Sequence, residues 1–196
     1  ETIALPDSIT NIGMDAFLGC RSLETITLPN GVTSIENGTF QGCSNLKTII
    51  LPSGITSVGA DAFYGCSNLG TIVLPNSITS IGSWAFYGCR SLKTIALPNG
   101  ITNIESSTFG ECSSLQTITL PNSLIYIGMY AFSKCSSLET IVLPDSIKSI
   151  EIYAFSKCSS LETITLPHSM TVLCSLFDGC SNLKTIMLPD RVQGIG

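Results

Sequence analysis

Cysteine is the residue type in this chain with the clearest capacity for chemistry. The chain includes nine cysteines, and thiols can form disulfides, ligate metals or act as nucleophiles. Zinc sites favour ligands at close spacing such as Cys-x-x-Cys, which this chain lacks. Eight cysteines instead recur at one constant interval, which is shortened by one position before the last: Cys20, Cys43, Cys66, Cys89, Cys112, Cys135, Cys158 and Cys180.

This spacing predicts a ladder of buried thiols in which each cysteine acts as a small hydrophobic residue and a weak hydrogen-bond donor. Parallel side chains stacked in register do not readily supply the torsion near 90° that a disulfide needs. We therefore expect mostly reduced cysteine. Cys174 alone lies outside the ladder, close enough in sequence to Cys180 for the two to approach one another.

The remaining polar candidates are isolated. His168, the single histidine, follows Pro167 in a slot filled elsewhere by Asn, Ser or Asp, and we expect a turn residue there. No second histidine, and no Ser or Asp that can be placed beside it, completes a metal site or a triad. Residues 37–39 form the one Asn-x-Thr sequon, which matters only in a eukaryotic secretory setting.

Glutamates offer no acid–base pair either. Three of them share one repeat position in nonadjacent units and are expected to be solvated turn residues: Glu36, Glu105 and Glu151. The sequence thus predicts no catalytic residues, no metal site and no cofactor, and we expect a protein that is not an enzyme.

The structural elements that hold these residues follow from one repeated sequence motif. Leu-Pro pairs mark the start of each unit: Leu5, Leu28, Leu51, Leu74, Leu97, Leu120, Leu143 and Leu166, with a partial copy at Leu188. The first seven units have the same length, the eighth is shorter by one position, and all nine prolines fall at the second position. Such a period is the signature of a solenoid, so we predict a single solenoid over residues 1–196. Because both ends cut through repeats, we expect a longer natural chain, or ends that associate end to end or edge to edge.

Within a unit, residues 46–52 alternate so that Ile49 and Leu51 face inward while Thr48 and Ile50 face outward, as in a short strand. Proline then ends the strand. Residues 55–58 are β-branched and predict a second strand, and residues 61–66 suit one turn of helix or 3₁₀-helix closed by glycine. The predicted inward set of this unit is Leu51, Ile55, Val58, Phe63, Cys66, Leu69 and Ile72.

The frame Leu-x-x-Ile-x-Leu-Pro-x-x-Ile-x-x-Ile-Gly-x-x-Ala-Phe-x-x-Cys resembles the BspA-like leucine-rich repeats over essentially the whole chain. The resemblance implies a leucine-rich-repeat solenoid of the α/β class, with eight stacked units of about 22–23 residues, partial units at the ends and a parallel concave sheet. It also implies kinship with repeat regions of bacterial and protist surface or secreted proteins, many of them adhesive or ligand-binding.

Composition excludes several partners. Hydrophobic residues make up 44% of the chain and charged residues 12%, which argues against disorder. The net charge of −5 and the absence of a Lys/Arg run argue against nucleic acid. The longest near-apolar stretch, residues 124–132, is far shorter than the roughly 20 residues that cross a bilayer, so we expect no membrane insertion.

Two outward-facing columns on the first strand form the favoured binding surface. One is an unbroken run of threonines, and the other carries apolar residues in several units. The candidate partner-binding residues are Thr48, Ile50, Thr71, Val73, Thr94, Ala96, Thr117, Thr119 and Val142. Threonine is explained largely by its β-propensity, whereas an exposed apolar strip favours a partner.

Aromatic residues on the turn side form the alternative surface: Tyr64, Trp84, Tyr87, Tyr130 and Tyr153, with Tyr126 nearby. Aromatic side chains are enriched at interfaces, although packing over the edge of the solenoid also accounts for them. We expect an extracellular or cell-surface adhesion module that binds a protein or glycan through an extended face. A spacer that projects another domain and a cytosolic interaction scaffold remain as alternatives.

Overall fold

The computed structural model describes residues 1–170 and 172–195. The chain forms a solenoid of about eight coils, and each strand pairs in parallel with the equivalent strand of a neighbouring coil. Equivalent residues such as Thr25 and Thr48 are Cα partners, so one coil corresponds to one sequence repeat. In the described residues there is no helix able to cross a membrane.

The strands form two rows along the solenoid. The first row contains three-residue strands: β1 (Thr2–Ala4), β2 (Thr25–Thr27), β4 (Thr48–Ile50), β7 (Thr94–Ala96), β9 (Thr117–Thr119), β12 (Thr163–Thr165) and β14 (Thr185–Met187). The second row contains two-residue strands: β3 (Ser34–Ile35), β5 (Ser57–Val58), β6 (Ser80–Ile81), β8 (Asn103–Ile104), β10 (Tyr126–Ile127), β11 (Ser149–Ile150), β13 (Val172–Leu173) and β15 (Gly194–Ile195). Both strands predicted in each unit are therefore present in most coils.

The helical turn predicted for residues 61–66 and their equivalents is wrong, because the described residues contain tight turns there and no helix. In residues 84–89, successive backbone amides alternate between an acceptor in the next coil and an acceptor within the same turn. The amide of Phe86 donates to Thr108 O of the next coil at 2.9 Å, whereas the amide of Tyr87 donates to Trp84 O at 3.0 Å. Trp84 and Gly88 have positive φ values of 62° and 71°, which a right-handed helix excludes. Backbone hydrogen bonds to the neighbouring coil thus replace the successive hydrogen bonds that a helix would form within this segment.

The core is one continuous column of side chains from all coils. Of the predicted inward set, the six members from Ile55 to Ile72 are buried, whereas Leu51 is only half-buried. Phenylalanine rings stack along the axis from Phe17 to Phe177, with centroids 5.2–5.9 Å apart. A single coil has no partner for either face of its ring, so stacking supplies the stability that one repeat lacks.

The first row of strands is interrupted at two coils. Residues 71–73 and 140–142 have the sequence Thr-Ile-Val in both cases and are not strands. Among the described residues, no backbone hydrogen bond joins 71–73 or 140–142 to either neighbouring coil. The row is therefore divided into sheets of three, two and two strands.

The eighth unit is one residue shorter, and the register of its hydrogen bonds to the preceding coil shifts by one position. The amide of Tyr153 bonds to Ser175 O, at the interval that other coils use, but that of Phe155 bonds to Leu176 O, which is one position short of this interval. The deletion between Leu173 and Phe177 is predicted from the sequence to distort the turn while both residues still face inward. Phe177 remains stacked on Phe155, as predicted, at a centroid distance of 5.9 Å. The prediction that Leu173 also faces inward concerns a side chain outside the described part of the molecule.

Candidate functional site

The outward side of the first strand row, here called the threonine face, carries the two columns predicted from the sequence. Thr48, Thr71, Thr94 and Thr117 are exposed, as are Ala96 and Thr119 in the second column. The inward isoleucines between them, such as Ile49, are buried. The alternation predicted for this strand is thus confirmed.

Apolar exposure on the threonine face is greatest at the two interruptions. Val73 and Val142 are each 83% exposed, compared with 57% for Ile50 on a paired strand. A groove of about 410 Å³ lies between residues 48–51 and residues 71–73. The loss of strand pairing therefore coincides with an opening between coils that Ile50 and Val73 both line.

The aromatic residues of the turn side form two separate groups. Tyr64, Trp84 and Tyr87 pack together, with the rings of Trp84 and Tyr87 4.8 Å apart and those of Tyr64 and Tyr87 5.1 Å apart. Tyr130 and Tyr153 stack on one another at 5.2 Å. The alternative surface predicted from the sequence thus consists of two clusters separated by one coil.

A cleft of about 390 Å³, here called the turn cleft, spans the coils between and around these clusters. The intervening coil contributes small residues, Ser107 and Gly110, where its neighbours carry aromatic or larger side chains. A Cβ at Gly110 would lie 2.7 Å from the ring of Tyr87, so the absence of a side chain lets this ring lean across the coil. The cleft exists because the side chains of this unit are small at positions where the neighbouring units carry larger ones.

Glu111 is the best-anchored charge in the turn cleft. Its carboxylate accepts hydrogen bonds from Lys134 Nζ at 2.6 Å and from Arg90 at 3.2 Å. The bond from Lys134 is the main reason that the pKa of Glu111 is lowered. Burial, together with the nearby Glu111 carboxylate, raises the pKa of Tyr87 to about 12. At neutral pH the cleft therefore presents the Glu111 carboxylate, paired with Lys134 of the lining and with Arg90 from outside it, and a phenol that keeps its proton.

The charged residues of the turn cleft occupy an unusual backbone position. Glu111, Lys134 and Lys157 have φ values of 58°, 62° and 60°. Equivalent positions in the other units are glycines: Gly19, Gly42, Gly65, Gly88 and Gly179. A left-handed residue with a side chain costs about 1–2 kcal/mol. Three consecutive units thus carry charged side chains at positions where the repeat otherwise uses glycine.

Sequence reasoning missed these three charged residues and Ser107. The available signal was the departure from glycine in consecutive units, which a search for aromatic residues does not detect. Trp84, Tyr130 and Tyr153 also have positive φ values, between 57° and 62°. Asp15, Asp61 and Ser107 share this conformation at the same repeat position, so it belongs to the turn of the repeat.

The cysteine ladder has the predicted structural role. The thiols of Cys43, Cys66, Cys89, Cys112, Cys135 and Cys158 are buried. Each donates a hydrogen bond to a phenylalanine carbonyl of the preceding coil, as from Cys112 to Phe86 O at 3.1 Å. Burial raises the pKa of Cys43 to about 11 and that of Cys112 to about 12. These thiols therefore stay protonated and unreactive at neutral pH. Cys174, the exception, is exposed and free.

The other polar candidates also have structural positions. His168 is an exposed turn residue, as predicted, with Nδ1 3.0 Å from Asp145. The three aligned glutamates are half-buried rather than fully solvated, because each accepts a hydrogen bond from the residue two positions earlier, as Glu36 does from Ser34 at 2.6 Å. No cluster of three or more His, Cys, Asp or Glu side chains suited to a metal occurs within the described ranges.

The side chains of Asn37 and Thr39 in the sequon are hydrogen-bonded to backbone groups. Asn37 Oδ1 accepts a hydrogen bond from the amide of Ala60 at 2.8 Å, and Thr39 is buried with its hydroxyl bonded to Glu36 O. The sequon is thus explained by the local turn.

Stacked parallel coils with a repeating Leu, Ile, Phe and Cys core define a leucine-rich-repeat solenoid, the class of proteins generally used for interaction with other proteins. The family model of the BspA type leucine rich repeat region matches residues 1–115 and 85–196, in six copies. The chain belongs to this family.

Two solved structures illustrate the likeness. A leucine rich cell surface protein from Faecalibacterium prausnitzii is 28% identical with a TM-score of 0.52, over 92% of this chain and 64% of that protein. The T. pallidum leucine rich repeat protein is 28% identical with a TM-score of 0.51, over 100% of this chain and 72% of that protein. The chain thus spans less than two thirds of the first relative. A search of curated proteins gave no match.

Proposed function

We propose that this chain is a non-enzymatic interaction module of a surface or secreted protein, and that it binds a protein partner through the threonine face. The observation that carries the proposal is the exposure of Val73 and Val142 at the two interruptions of the strand row. Exposed apolar side chains next to a groove are typical of recognition surfaces.

The groove at the first interruption supports a protein rather than a small ligand as the partner. It is lined by backbone and side chains of residues 48–51 and 71–73, whose facing backbone groups make no hydrogen bonds to one another. An extended segment of a partner protein can satisfy such groups and cover Ile50 and Val73 together. Adhesion is the proposed biological use, since the leucine rich relative from F. prausnitzii is described as a cell surface protein.

Charge reversal of the apolar column tests this proposal. We expect Val73→Glu and Val142→Glu to reduce binding of the labelled chain to cultured cells or matrix-coated plates by at least about tenfold, because a buried carboxylate without a partner is costly. Stability should change by no more than about 0.5 kcal/mol, since both sites are exposed.

Two further variants serve as controls. Ile152 is an exposed apolar residue in the adjoining turn region outside the first strand row, so Ile152→Glu should leave binding intact. Val73→Thr copies the residue that the same column carries at Thr27 and Thr119, and it should weaken binding only slightly. Equal binding of all four variants and the parent chain would contradict the proposal and favour a spacer.

A cytosolic scaffold is the other alternative. The free thiols in the structure fit this compartment as well as an extracellular one, because burial protects them from oxidation. Thiol titration of the natural protein before and after unfolding tests the cytosolic scaffold: thiols already blocked in disulfides would count against it, whereas free thiols fit both compartments.

A further inference from the structure

We propose that the turn cleft binds one sugar ring of an uncharged glycan, at a site separate from the threonine face. The first argument is spacing. Trp84 and Tyr130 occupy the same repeat position two coils apart, and coils follow one another at about 4.8 Å. The backbone positions of the two aromatic residues are therefore about 10 Å apart, and a ring in contact with both sides needs about 7–8 Å.

The second argument is that the cleft contains hydroxyl groups without a partner. Ser107 and Ser156 line the cleft and are only 2% and 4% exposed. Within the described ranges, neither hydroxyl makes a hydrogen bond to another residue, whereas serines such as Ser123 bond to a carbonyl of the preceding coil. Every fully buried polar side-chain atom of the described part has a partner, so these two hydroxyls open onto the cleft. A ligand with both donors and acceptors would satisfy them.

The third argument is the balance of charge. Two acidic residues, Glu111 and Asp178, and two basic residues, Lys134 and Lys157, line the cleft. The charges of these four lining residues cancel, and Arg90 outside the lining is paired with Glu111, so the cleft lacks the cluster of unpaired positive charge that a polyanion needs. A pyranose has an apolar C–H face that packs on aromatic rings, and its hydroxyls both donate and accept. Lysine and carboxylate side chains supply the complementary groups.

The backbone around the cleft argues against a peptide. The amides of Ser107, Glu111 and Lys134 each bond to a carbonyl of the next coil, at 2.9, 2.8 and 2.7 Å. No unpaired strand edge is therefore offered at these positions, and an added peptide strand would lack its backbone partners. Recognition in the turn cleft depends on side chains.

The strained backbone is the final observation. Glu111, Lys134 and Lys157 adopt left-handed conformations that glycine serves in five other units. The fold does not need these side chains, because the same turn forms without them. Their presence around one cleft is explained by a ligand.

Trp84 makes the test direct, because it is the single tryptophan of the chain and lines the cleft. Its fluorescence is titrated with linear oligomers of α-glucose, β-glucose, xylose and mannose to millimolar concentration. Saturation-transfer NMR identifies the sugar protons in contact. We expect at least one neutral oligomer to shift the fluorescence in a saturable manner.

Variants drawn from the repeat itself localise the binding. Ser107→Tyr places the residue found at Tyr130 and Tyr153 into the cleft, and it should weaken sugar binding at least about tenfold. Asp15→Tyr makes the same kind of change at the same repeat position outside the cleft, and it should have no effect. Lys134→Gly restores the residue used by other units and should also weaken binding while the fold persists.

Three results would overturn this proposal. They are no saturable response to any of the four oligomers, equal effects of Ser107→Tyr and Asp15→Tyr, or a peptide selected from a display library that binds the cleft when no sugar does. Val73→Glu should leave sugar binding unchanged, so failure of the threonine-face proposal is distinguishable from failure of this one.

Discussion

At the scale of single residues, glycine in this chain serves two different needs. Gly65 has a φ of 70°, and a Cβ there would approach no described atom closer than 3.9 Å. Gly82 lies outside the left-handed region, but its Cβ would lie 2.5 Å from the backbone nitrogen of Ala60 in the preceding coil. At position 65 the left-handed backbone conformation favours glycine, whereas at position 82 the neighbouring backbone leaves no room for a side chain.

Alanine substitutions separate these two needs. We expect Gly65→Ala to lower the free energy of unfolding by about 1–2 kcal/mol, the cost of a left-handed alanine. Gly82→Ala should cost more, about 3 kcal/mol, because backbone in a packed coil must move. Urea denaturation followed by circular dichroism measures both. A smaller loss for Gly82→Ala than for Gly65→Ala would contradict the contact geometry.

At the scale of elements, the phenylalanine stack links the coils more strongly at the centre than at the end. Phe109 is fully buried, with rings on both sides at 5.5 and 5.6 Å. Phe17 is half-buried and stacks on Phe40 at 5.2 Å. The same residue type therefore contributes differently according to the number of coils that cover it.

Truncation of the rings tests this difference. Phe109→Ala should destabilise the solenoid by about 3–5 kcal/mol through loss of burial and formation of a cavity. Phe17→Ala should cost about half as much, since part of that ring already contacts water. Thermal and chemical denaturation give the two values. Equal costs would mean that the stack does not set the coupling between coils.

At the scale of the whole molecule, the buried cysteine ladder makes stability sensitive to alkaline pH. Burial raises the pKa of five thiols above the ordinary value of 9.0, namely Cys43, Cys66, Cys89, Cys112 and Cys135. Because the folded pKa is raised, the stabilisation is complete below the unfolded pKa and is lost as pH rises above it. Each thiol changes the free energy of unfolding by about 1.4 kcal/mol per pH unit in that range.

Together the five thiols should make the free energy of unfolding fall steeply as the pH rises above about 9, the ordinary thiol pKa. Denaturation at a series of pH values, in the presence of a reductant, measures this slope. Cys112→Ala should reduce the slope by one thiol's share. A free energy of unfolding that stays constant from about pH 8 to about pH 10 would show that the thiols are not buried as protonated donors.

The sequence by itself determined the period, the identity of the stacked residues and the side of the strand that each residue faces. Residues one repeat apart, such as Thr25 and Thr48, are Cα partners, so lateral neighbours follow from the repeat alone. The buried role of Cys66 and Phe63 follows from the same regularity, because an identical residue in every coil must pack against copies of itself.

Only the tertiary structure decided where the regular pattern fails. Loss of pairing at residues 71–73 depends on how adjacent coils meet. The Thr-Ile-Val sequence shared with residues 140–142 marks both interruptions, but the opening between the coils is seen only in the structure. Replacement of the predicted helical turn depends on amides such as that of Phe86 bonding to the next coil. The turn cleft depends on small residues at Ser107 and Gly110 between larger neighbours. Each of these features arises from contacts between coils, which a single repeat does not contain.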